Sequence, residues 1–440
     1  MILLSFLFAI LLGALLLSLP ISSAKGEPTS FVDALFTATT ATCVTGLVVV
    51  PTFSAWSAFG QAVILVLIQI GGLGIITVIA GISLLLNRKM GLSDSMLLMD
   101  AFNLNSFSGM GRFVKKVILG SLAVEGAGAL LYMTVFIPEF GLKGIWISVF
   151  NAVSAFCNAG MDIIGENSLC GYVENPLVNL VTVSLIVLGG LGYIVWWDVF
   201  RVIRERKVRK GRLFSRLTLH SKIAIIATIV LIFAPALLFF LFEYSNGGTM
   251  GELSLGGKLL ASLFQSVTTR TAGFVTVSQA ALTNASSVIS MLLMFIGGSP
   301  VGTAGGIKTV TLVVLIVVAS RTIQNKGEPA LMGRRLSSEA VAKAVSVTLM
   351  SVGIVFISTV LLSLVTDAPL IDLMYETVSA AATVGLSRDL TPTLSTLGKL
   401  IISLTMYLGR VGPISLAVAF SVKHRAKNII TDPVEEISVG

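Results

Sequence analysis

The sequence predicts an all-α polytopic membrane protein. In this fold an outer span (M1), a re-entrant pore loop and an inner span (M2) repeat four times, with pseudo-fourfold symmetry around one pore. Of the 440 residues, 55% are apolar and 12% are charged, whereas soluble domains average about 25% charged residues. Long apolar runs indicate membrane spans, and two glycine motifs that each recur four times indicate a fourfold repeat. This composition excludes a cytosolic enzyme, a secreted disulfide scaffold and a disordered chain.

The apolar runs lie near 2–20, 57–86, 113–137, 177–200, 222–243, 287–320, 341–365 and 397–422. About 20 apolar residues cross the hydrocarbon core, so each run can hold one span. Lys and Arg cluster after every second run, while the intervening links contain few basic residues. The positive-inside rule therefore places both termini in the cytoplasm. The net charge of +8 reflects this orientation, and no nucleic-acid partner is expected.

The predicted repeats cover 1–90, 91–212, 213–326 and 327–440, the third with an interrupted second span and the fourth with a short C-terminal tail. Each outer link contains an apolar stretch of about 10–14 residues, such as 31–42 and 146–157, which is too short to span and suits a re-entrant half-helix. A few residues after every stretch there is a glycine, which is followed by a large apolar residue. These glycines are Gly46, Gly160, Gly273 and Gly385.

Four such loops in one chain can meet at a common axis, where backbone carbonyls replace the hydration shell of a cation. Half-helices with their C-termini towards this axis favour a cation through their dipoles, and glycine permits the required backbone turns. The sequence therefore predicts a pore for monovalent cations. The predicted filter consists of Val44, Thr45, Gly46, Asn158, Ala159, Gly160, Thr271, Ala272, Gly273, Thr383, Val384 and Gly385.

The second glycine motif lies in the following span, and helix packing is the preferred interpretation of Gly71, Gly74, Gly189 and Gly192. The sixth span differs, because 297–306 contains five glycines and one proline. Both residue types are poor helix formers, so this span is predicted to be interrupted near mid-membrane, with a packing kink as the alternative.

Arg410 lies deep in the last apolar run, where a central arginine costs about 2.5–3.5 kcal/mol and usually faces a pore or a partner. Lys308 follows the interruption and is predicted either to line the inner vestibule or to snorkel. The interrupted segment and the two cationic residues considered with it are Gly297, Gly298, Ser299, Pro300, Val301, Gly302, Thr303, Ala304, Gly305, Gly306, Lys308 and Arg410.

These motifs resemble those of the Trk/Ktr/HKT superfamily of potassium transporters over essentially the whole chain. The stretches 294–308 (MFIGGSPVGTAGGIK) and 408–413 (LGRVGP) are the most specific. The pattern is most similar to Ktr-type membrane subunits of the KtrB or KtrD kind. The resemblance implies K⁺ as the ion at the filter, because all four loops carry glycine. It also implies a gating role for 297–306, with Arg410 as a positive barrier and Arg270 as a brace of the third loop.

The resemblance further implies a homodimer in a bacterial plasma membrane, with one pore per subunit. It implies a cytosolic ring of nucleotide-binding RCK-type partner subunits (KtrA/KtrC-like). No cofactor is expected in this chain, and Na⁺ remains open as a coupling or activating ion. A membrane-embedded enzyme is not expected, since no catalytic cluster of His, Asp, Glu or Cys occurs. An alternating-access transporter is the alternative, but it would favour inverted repeats, whereas these repeats share one orientation.

Overall fold

The computed structural model describes residues 2–85, 110–205, 213–325 and 327–412. This part of the chain is mostly helical and forms four successive repeats, each with an outer helix, a pore helix and an inner helix. A hairpin of Ala330–Leu331 and Arg334–Arg335 precedes the fourth outer helix. The predicted repeat limits near 90, 212 and 326 fall on residues outside the described ranges, and these limits stay a prediction.

The outer helices are Ile2–Ser18, Met110–Phe140, Leu219–Glu243 and Ser338–Ser363. The pore helices are Phe31–Cys43, Lys143–Cys157, Leu255–Thr268 and Leu370–Ala381. The inner helices are Ala58–Leu73 with Ile75–Leu85, Pro176–Leu191 with Tyr193–Glu205, Asn284–Phe295 with Thr309–Ile323, and Thr396–Val411. Short helical segments are Pro20–Ser22, Thr52–Ala55, Cys170–Tyr172, Leu213–Arg216 and Thr391–Thr393.

A polar N-cap starts the inner helix in every repeat. The side chain accepts a backbone N–H two or three residues later, which satisfies a donor that the first helical turn leaves free. The four caps are Ser57, Asn175, Thr283 and Ser395. The loop that returns from each pore helix therefore ends at an equivalent, chemically defined point.

Among the described residues, three helices are long and apolar enough to cross a membrane: Gly111–Phe140, Leu219–Glu243 and Ser338–Ser363. The pair Pro176–Leu191 and Tyr193–Glu205 adds a fourth span if it is counted as one, although the two helices are bent by 95°. Much of the outer helices' apolar surface is exposed, which suits contact with lipid.

The inner helices depart from the sequence prediction, which expected an interruption only in the sixth span. A residue with positive φ ends the first, second and fourth inner helices as well, at Gly74 (φ 83°), Gly192 (φ 90°) and Gly412 (φ 86°). Helical backbone cannot continue through such a conformation, and only glycine adopts it readily. The break thus occurs in the first three repeats, and the third enlarges it into a loop; the fourth inner helix ends at the corresponding glycine, which is the last described residue.

The pore helices form the buried centre of the molecule. An aromatic side chain nine or ten residues before each filter glycine is almost fully enclosed. These four side chains are Phe36, Phe150, Phe264 and Tyr375. Their burial fixes the depth of each pore helix and hence the position of the loop that follows it.

Candidate functional site

The same backbone trace follows every pore helix. The first of the three predicted filter residues has a left-handed conformation, with φ between 51° and 65°, although none of the four is glycine. The glycine two residues later also has positive φ, between 66° and 101°. Left-handed non-glycine residues cost of order 1–3 kcal/mol each and persist where their surroundings determine them. The four left-handed residues are Val44, Asn158, Thr271 and Thr383.

The four glycines of the predicted filter form a closed ring, and we call the loops that carry them the filter loops, after their predicted role. A Cβ added to Gly46 would lie 2.5 Å from the carbonyl oxygen of Ala159, and one on Gly160 would lie 2.7 Å from that of Ala272. A Cβ on Gly273 would lie 2.5 Å from the Val384 carbonyl oxygen. The Gly385 position returns to the Thr45 carbonyl at still closer range. Each repeat therefore abuts the next, and the last abuts the first. The ring leaves no room at these positions for a side chain larger than hydrogen.

Hydroxyl groups in the pore helices anchor the filter loops. Thr40 Oγ1 accepts a hydrogen bond from the Gly46 amide (2.9 Å), and Ser379 Oγ accepts one from the Gly385 amide (3.0 Å). Ser154 Oγ accepts from the Met161 amide (3.1 Å). These anchors were not identified from the sequence. The available signal was a Ser or Thr six residues before the glycine in repeats 1, 2 and 4.

The third repeat uses a different anchor. Thr268 Oγ1 donates to the carbonyl of Phe274 (2.6 Å), and the Ala272 amide bonds to the Thr268 carbonyl (2.9 Å). Arg270, predicted to brace this loop, is 94% buried, and its Nε has no partner in the part of the chain that the structure describes. The expected carbonyl or carboxylate bond from its side chain is likewise not found there.

The interruption of the third inner helix lies directly against the filter loops. The Gly305 amide donates to Thr271 Oγ1 (3.1 Å), and Thr303 Oγ1 donates to the carbonyl of Phe156 at the end of the second pore helix (3.0 Å). We call residues 297–306 the gate loop, after its predicted role. The loop thus packs directly against the ends of the second and third pore-helix loops.

Arg410 joins the gate loop to the first repeat. Its guanidinium donates to the carbonyl of Thr303 (2.7 Å) and to that of Gly71 on the first inner helix (2.6 Å). Lys308 folds back on the loop and donates to the Ala304 carbonyl (2.7 Å). Both cations bond to backbone carbonyls, so the structure places Lys308 against the loop rather than extended towards the membrane surface.

The second glycine motif packs the inner helices against the ends of the pore helices. Added Cβ atoms at its first glycine would overlap pore-helix carbonyls, so the predicted packing role is confirmed for Gly71 and Gly189. The carbonyls concerned belong to Thr42 for Gly71, Phe156 for Gly189 and Ala381 for Gly409. The interpretation is wrong for Gly74, whose positive φ marks a helix end and whose added Cβ would meet only Thr77 Oγ1, at 3.8 Å, among the described residues. Gly192 also ends a helix with positive φ, but an added Cβ there would overlap the Pro300 carbonyl, so this glycine does pack closely, against a loop.

Glu125 is a buried carboxylate behind the second filter loop. It lies on the second outer helix, and its two oxygens accept from Nε2 of Gln69 on the first inner helix (3.1 and 3.2 Å). Cys157, the last residue of the second pore helix, contacts the same pair through its sulfur (3.7 Å to Gln69 Oε1 and 3.9 Å to Glu125 Oε1). This chain of contacts links two repeats next to Asn158 of the filter.

Residues 10–431 match the TrkH family, described as cation transport proteins. The chain is 40% identical to the Ktr system potassium uptake protein B of Bacillus subtilis, covering 99% of this chain and 95% of that protein. It is 37% identical to the potassium/sodium uptake protein NtpJ of Enterococcus hirae, with the same coverage. The Ktr system potassium uptake protein D of Bacillus subtilis is 31% identical, again over 99% and 95%.

The fold also matches a solved structure. The crystal structure of the potassium transporter TrkH from Vibrio parahaemolyticus superposes with a TM-score of 0.74, covering 95% of this chain and 84% of that one. The sequence identity is 16%, so this match establishes the fold.

Proposed function

Because the chain belongs to the TrkH family of cation transport proteins, we propose that it is the potassium-translocating membrane subunit of a K⁺ uptake system. The family and the relatives are transporters and not enzymes. The observation that carries the proposal is the closed ring of four filter glycines, each abutting a carbonyl of the next repeat. Backbone carbonyls around one axis are the groups that replace water around K⁺ in a selectivity filter.

K⁺ enters from the outer side, loses water at the filter loops and passes the gate loop into the cytoplasm. The three-residue loops from Val44 to Gly46, Asn158 to Gly160, Thr271 to Gly273 and Thr383 to Gly385 supply the ion ligands. Each loop follows the C-terminus of a pore helix, and the negative end of the helix dipole stabilises a cation there.

The gate loop closes the inner side, and Arg410 holds it closed. Its bonds to Thr303 and Gly71 supply the closing contact, and its fixed positive charge repels a cation leaving the filter. Lys308 adds a further hydrogen bond to the same loop, at the Ala304 carbonyl. Opening requires these carbonyl bonds to break.

The names of the relatives also support an assembly. Two of them belong to a Ktr system, which implies a partner subunit besides the membrane protein. The proposed partner is a cytosolic ring of nucleotide-binding RCK-type subunits, acting on a homodimer in the bacterial plasma membrane with both termini in the cytoplasm. One relative is named for both potassium and sodium, which supports Na⁺ as a second ion.

The experiment is K⁺ uptake by cells that lack other K⁺ uptake systems, measured with and without Na⁺. Gly46→Ser is expected to lower the preference for K⁺ over Na⁺, since a Cβ at Gly46 meets the Ala159 carbonyl in the ring. Gly247→Ser is the matched control, because a Cβ at Gly247 has no neighbour within 4 Å among the described residues. Unchanged selectivity of Gly46→Ser would contradict the filter assignment.

The gate is tested separately by deleting 300–305. Removal of this part of the loop is expected to raise K⁺ flux, because the obstruction below the filter is lost. Wild-type flux in a correctly inserted deletion variant would contradict a gating role and would leave the filter assignment standing.

A further inference from the structure

The gate loop is attached by its backbone to the second inner helix, at the point where that helix breaks. The Ser299 amide donates to the Gly190 carbonyl (2.8 Å), and the Thr303 amide donates to the Gly189 carbonyl (3.1 Å). In return, the Tyr193 amide donates to the Val301 carbonyl (3.0 Å). We call residues 189–193 the docking seat. These three bonds use the carbonyls and the amide that the end of one helix and the start of the next leave free.

The two segments also fit sterically. A Cβ at Gly192 would overlap the Pro300 carbonyl, and one at Gly302 would lie 2.8 Å from the Gly189 carbonyl. Equivalent breaks do not share this relation: a Cβ at Gly74 would meet only Thr77 Oγ1, at 3.8 Å, in the part of the chain that the structure covers. Contact with the gate loop thus distinguishes Gly192 from Gly74, although φ is 90° and 83° at the two positions.

The docking seat is held firmly by the rest of the protein. The Trp196 indole N–H donates to the Leu188 carbonyl (3.0 Å), which clamps the two sides of the break together. Its ring packs on Phe156 with centroids 5.8 Å apart, and the Tyr193 ring packs on Trp196 at 5.7 Å. The gate loop has few large side chains of its own. The loop is therefore the part that moves, and the docking seat is the fixed surface it leaves.

We propose that the break in the second inner helix is the docking seat that holds the gate loop in its non-conducting position, so that opening requires the loop to separate from Gly189–Tyr193. This inference rests on the proposed gating role of the loop. It adds a second closing contact besides Arg410, which bonds to the Thr303 carbonyl, whereas the docking seat accepts a bond from the Thr303 amide.

A reversible cross-link tests the separation. A Cβ built on Gly190 lies 3.6 Å from Cβ of Ala304, within the range of about 3.5–4.5 Å that a disulfide requires. Gly190 is helical, and its Cβ would meet only ordinary contacts, so cysteine fits there. The double variant Gly190→Cys/Ala304→Cys is made in a background in which Cys43, Cys157 and Cys170 are replaced by serine.

Oxidation of the double variant is expected to lower K⁺ uptake at least tenfold, and reduction is expected to restore it. The two single-cysteine variants are expected not to respond to oxidant or reductant. A disulfide that forms, as measured by mass spectrometry, without changing flux would overturn the proposal, because the loop would then conduct while seated. Failure of the pair to cross-link would contradict the docked geometry itself.

A second variant tests the contact without a cross-link. Gly192→Ala and Gly74→Ala impose comparable backbone strain, but only the first displaces the Pro300 carbonyl. Gly192→Ala is expected to raise K⁺ leak severalfold above Gly74→Ala, and equal leak in the two would overturn the docking seat. If deletion of 300–305 leaves flux unchanged, the gate itself fails. If the deletion raises flux while the cross-link does nothing, only the docking seat fails.

Discussion

Replacement of Thr40 by valine isolates one hydroxyl anchor of the filter. Thr40 is fully buried, and its Oγ1 accepts the hydrogen bond of the Gly46 amide at 2.9 Å. Valine keeps the β-branched shape of threonine but leaves this amide without a partner. The Thr40 backbone carbonyl retains its bond from the Thr45 amide (2.8 Å), so the perturbation is confined to the glycine of the loop.

The size of the effect follows from the burial of the amide. A buried donor left unpaired costs about 1–3 kcal/mol. Because about 1.4 kcal/mol corresponds to tenfold in an equilibrium constant, the ordered filter loop becomes about 5- to 150-fold less favoured relative to alternatives in which the amide finds another partner. We expect the K⁺ over Na⁺ preference of Thr40→Val to fall at least about fivefold, with a smaller loss of total K⁺ flux.

The assay is K⁺ and Na⁺ uptake in cells without other K⁺ uptake systems, normalised to the amount of membrane-inserted protein. The matched control is Thr39→Val, one residue earlier in the same buried helix. The Thr39 hydroxyl donates to the Leu35 carbonyl (2.7 Å), which keeps its own helical partner when the hydroxyl is lost. Equal selectivity in the two variants would refute the reasoning that the Gly46 amide needs its hydroxyl partner.

Three further predictions concern other parts of the site. Arg410→Gln removes the positive charge and at least one of the two carbonyl bonds. We therefore expect a higher K⁺ leak in the absence of any regulatory stimulus. A leak equal to that of the wild type would show that Arg410 has no role in gating. Glu125→Leu leaves the Gln69 amide unpaired and is expected to lower the free energy of unfolding by about 1–3 kcal/mol. The loss is measured as a lower melting temperature in detergent. Glu125→Gln retains an acceptor for the Gln69 amide and is expected to lose less stability. Gly160→Ala places a Cβ 2.7 Å from a carbonyl of the next loop and should abolish selective K⁺ uptake, whereas Gly126→Ala, with no neighbour within 4 Å in the described structure, should retain it.

The fold was largely predictable because its signals are periodic. The length of an apolar run indicates a span, a basic cluster indicates the cytoplasmic side, and a glycine equivalent to Gly46 indicates the end of a pore loop. The pattern is clear because these signals recur along the chain. The gate loop was predictable for a similar reason, since five glycines and a proline cannot form a stable helix. The contact of Arg410 with that loop agrees with the expectation from its position, although its two carbonyl partners could not be inferred.

The hydroxyl anchors and the docking seat could not be predicted in the same way. A Ser or Thr recurs six residues before the glycine in three of the repeats, but the pore helices contain several other hydroxyl residues, so this spacing has a meaning only once the loop geometry is known. Gly192 was interpreted as a packing residue, as was Gly189, because glycine allows close approach in membrane helices. Its neighbour is Pro300 of the gate loop, more than a hundred residues later, and this partner could not be inferred from the sequence.

The closed ring of glycines comes from one polypeptide, which has an evolutionary consequence. In a pore built from four identical chains, every substitution appears at all four corners at once. In this chain a single substitution alters one corner and leaves three intact, so the corners can diverge one at a time. They have diverged: Val44, Asn158, Thr271 and Thr383 share one backbone conformation but present an alkyl group, an amide and two hydroxyls. Each corner of the ring can therefore change its side chain while the shared backbone conformation is kept, which four identical chains do not allow.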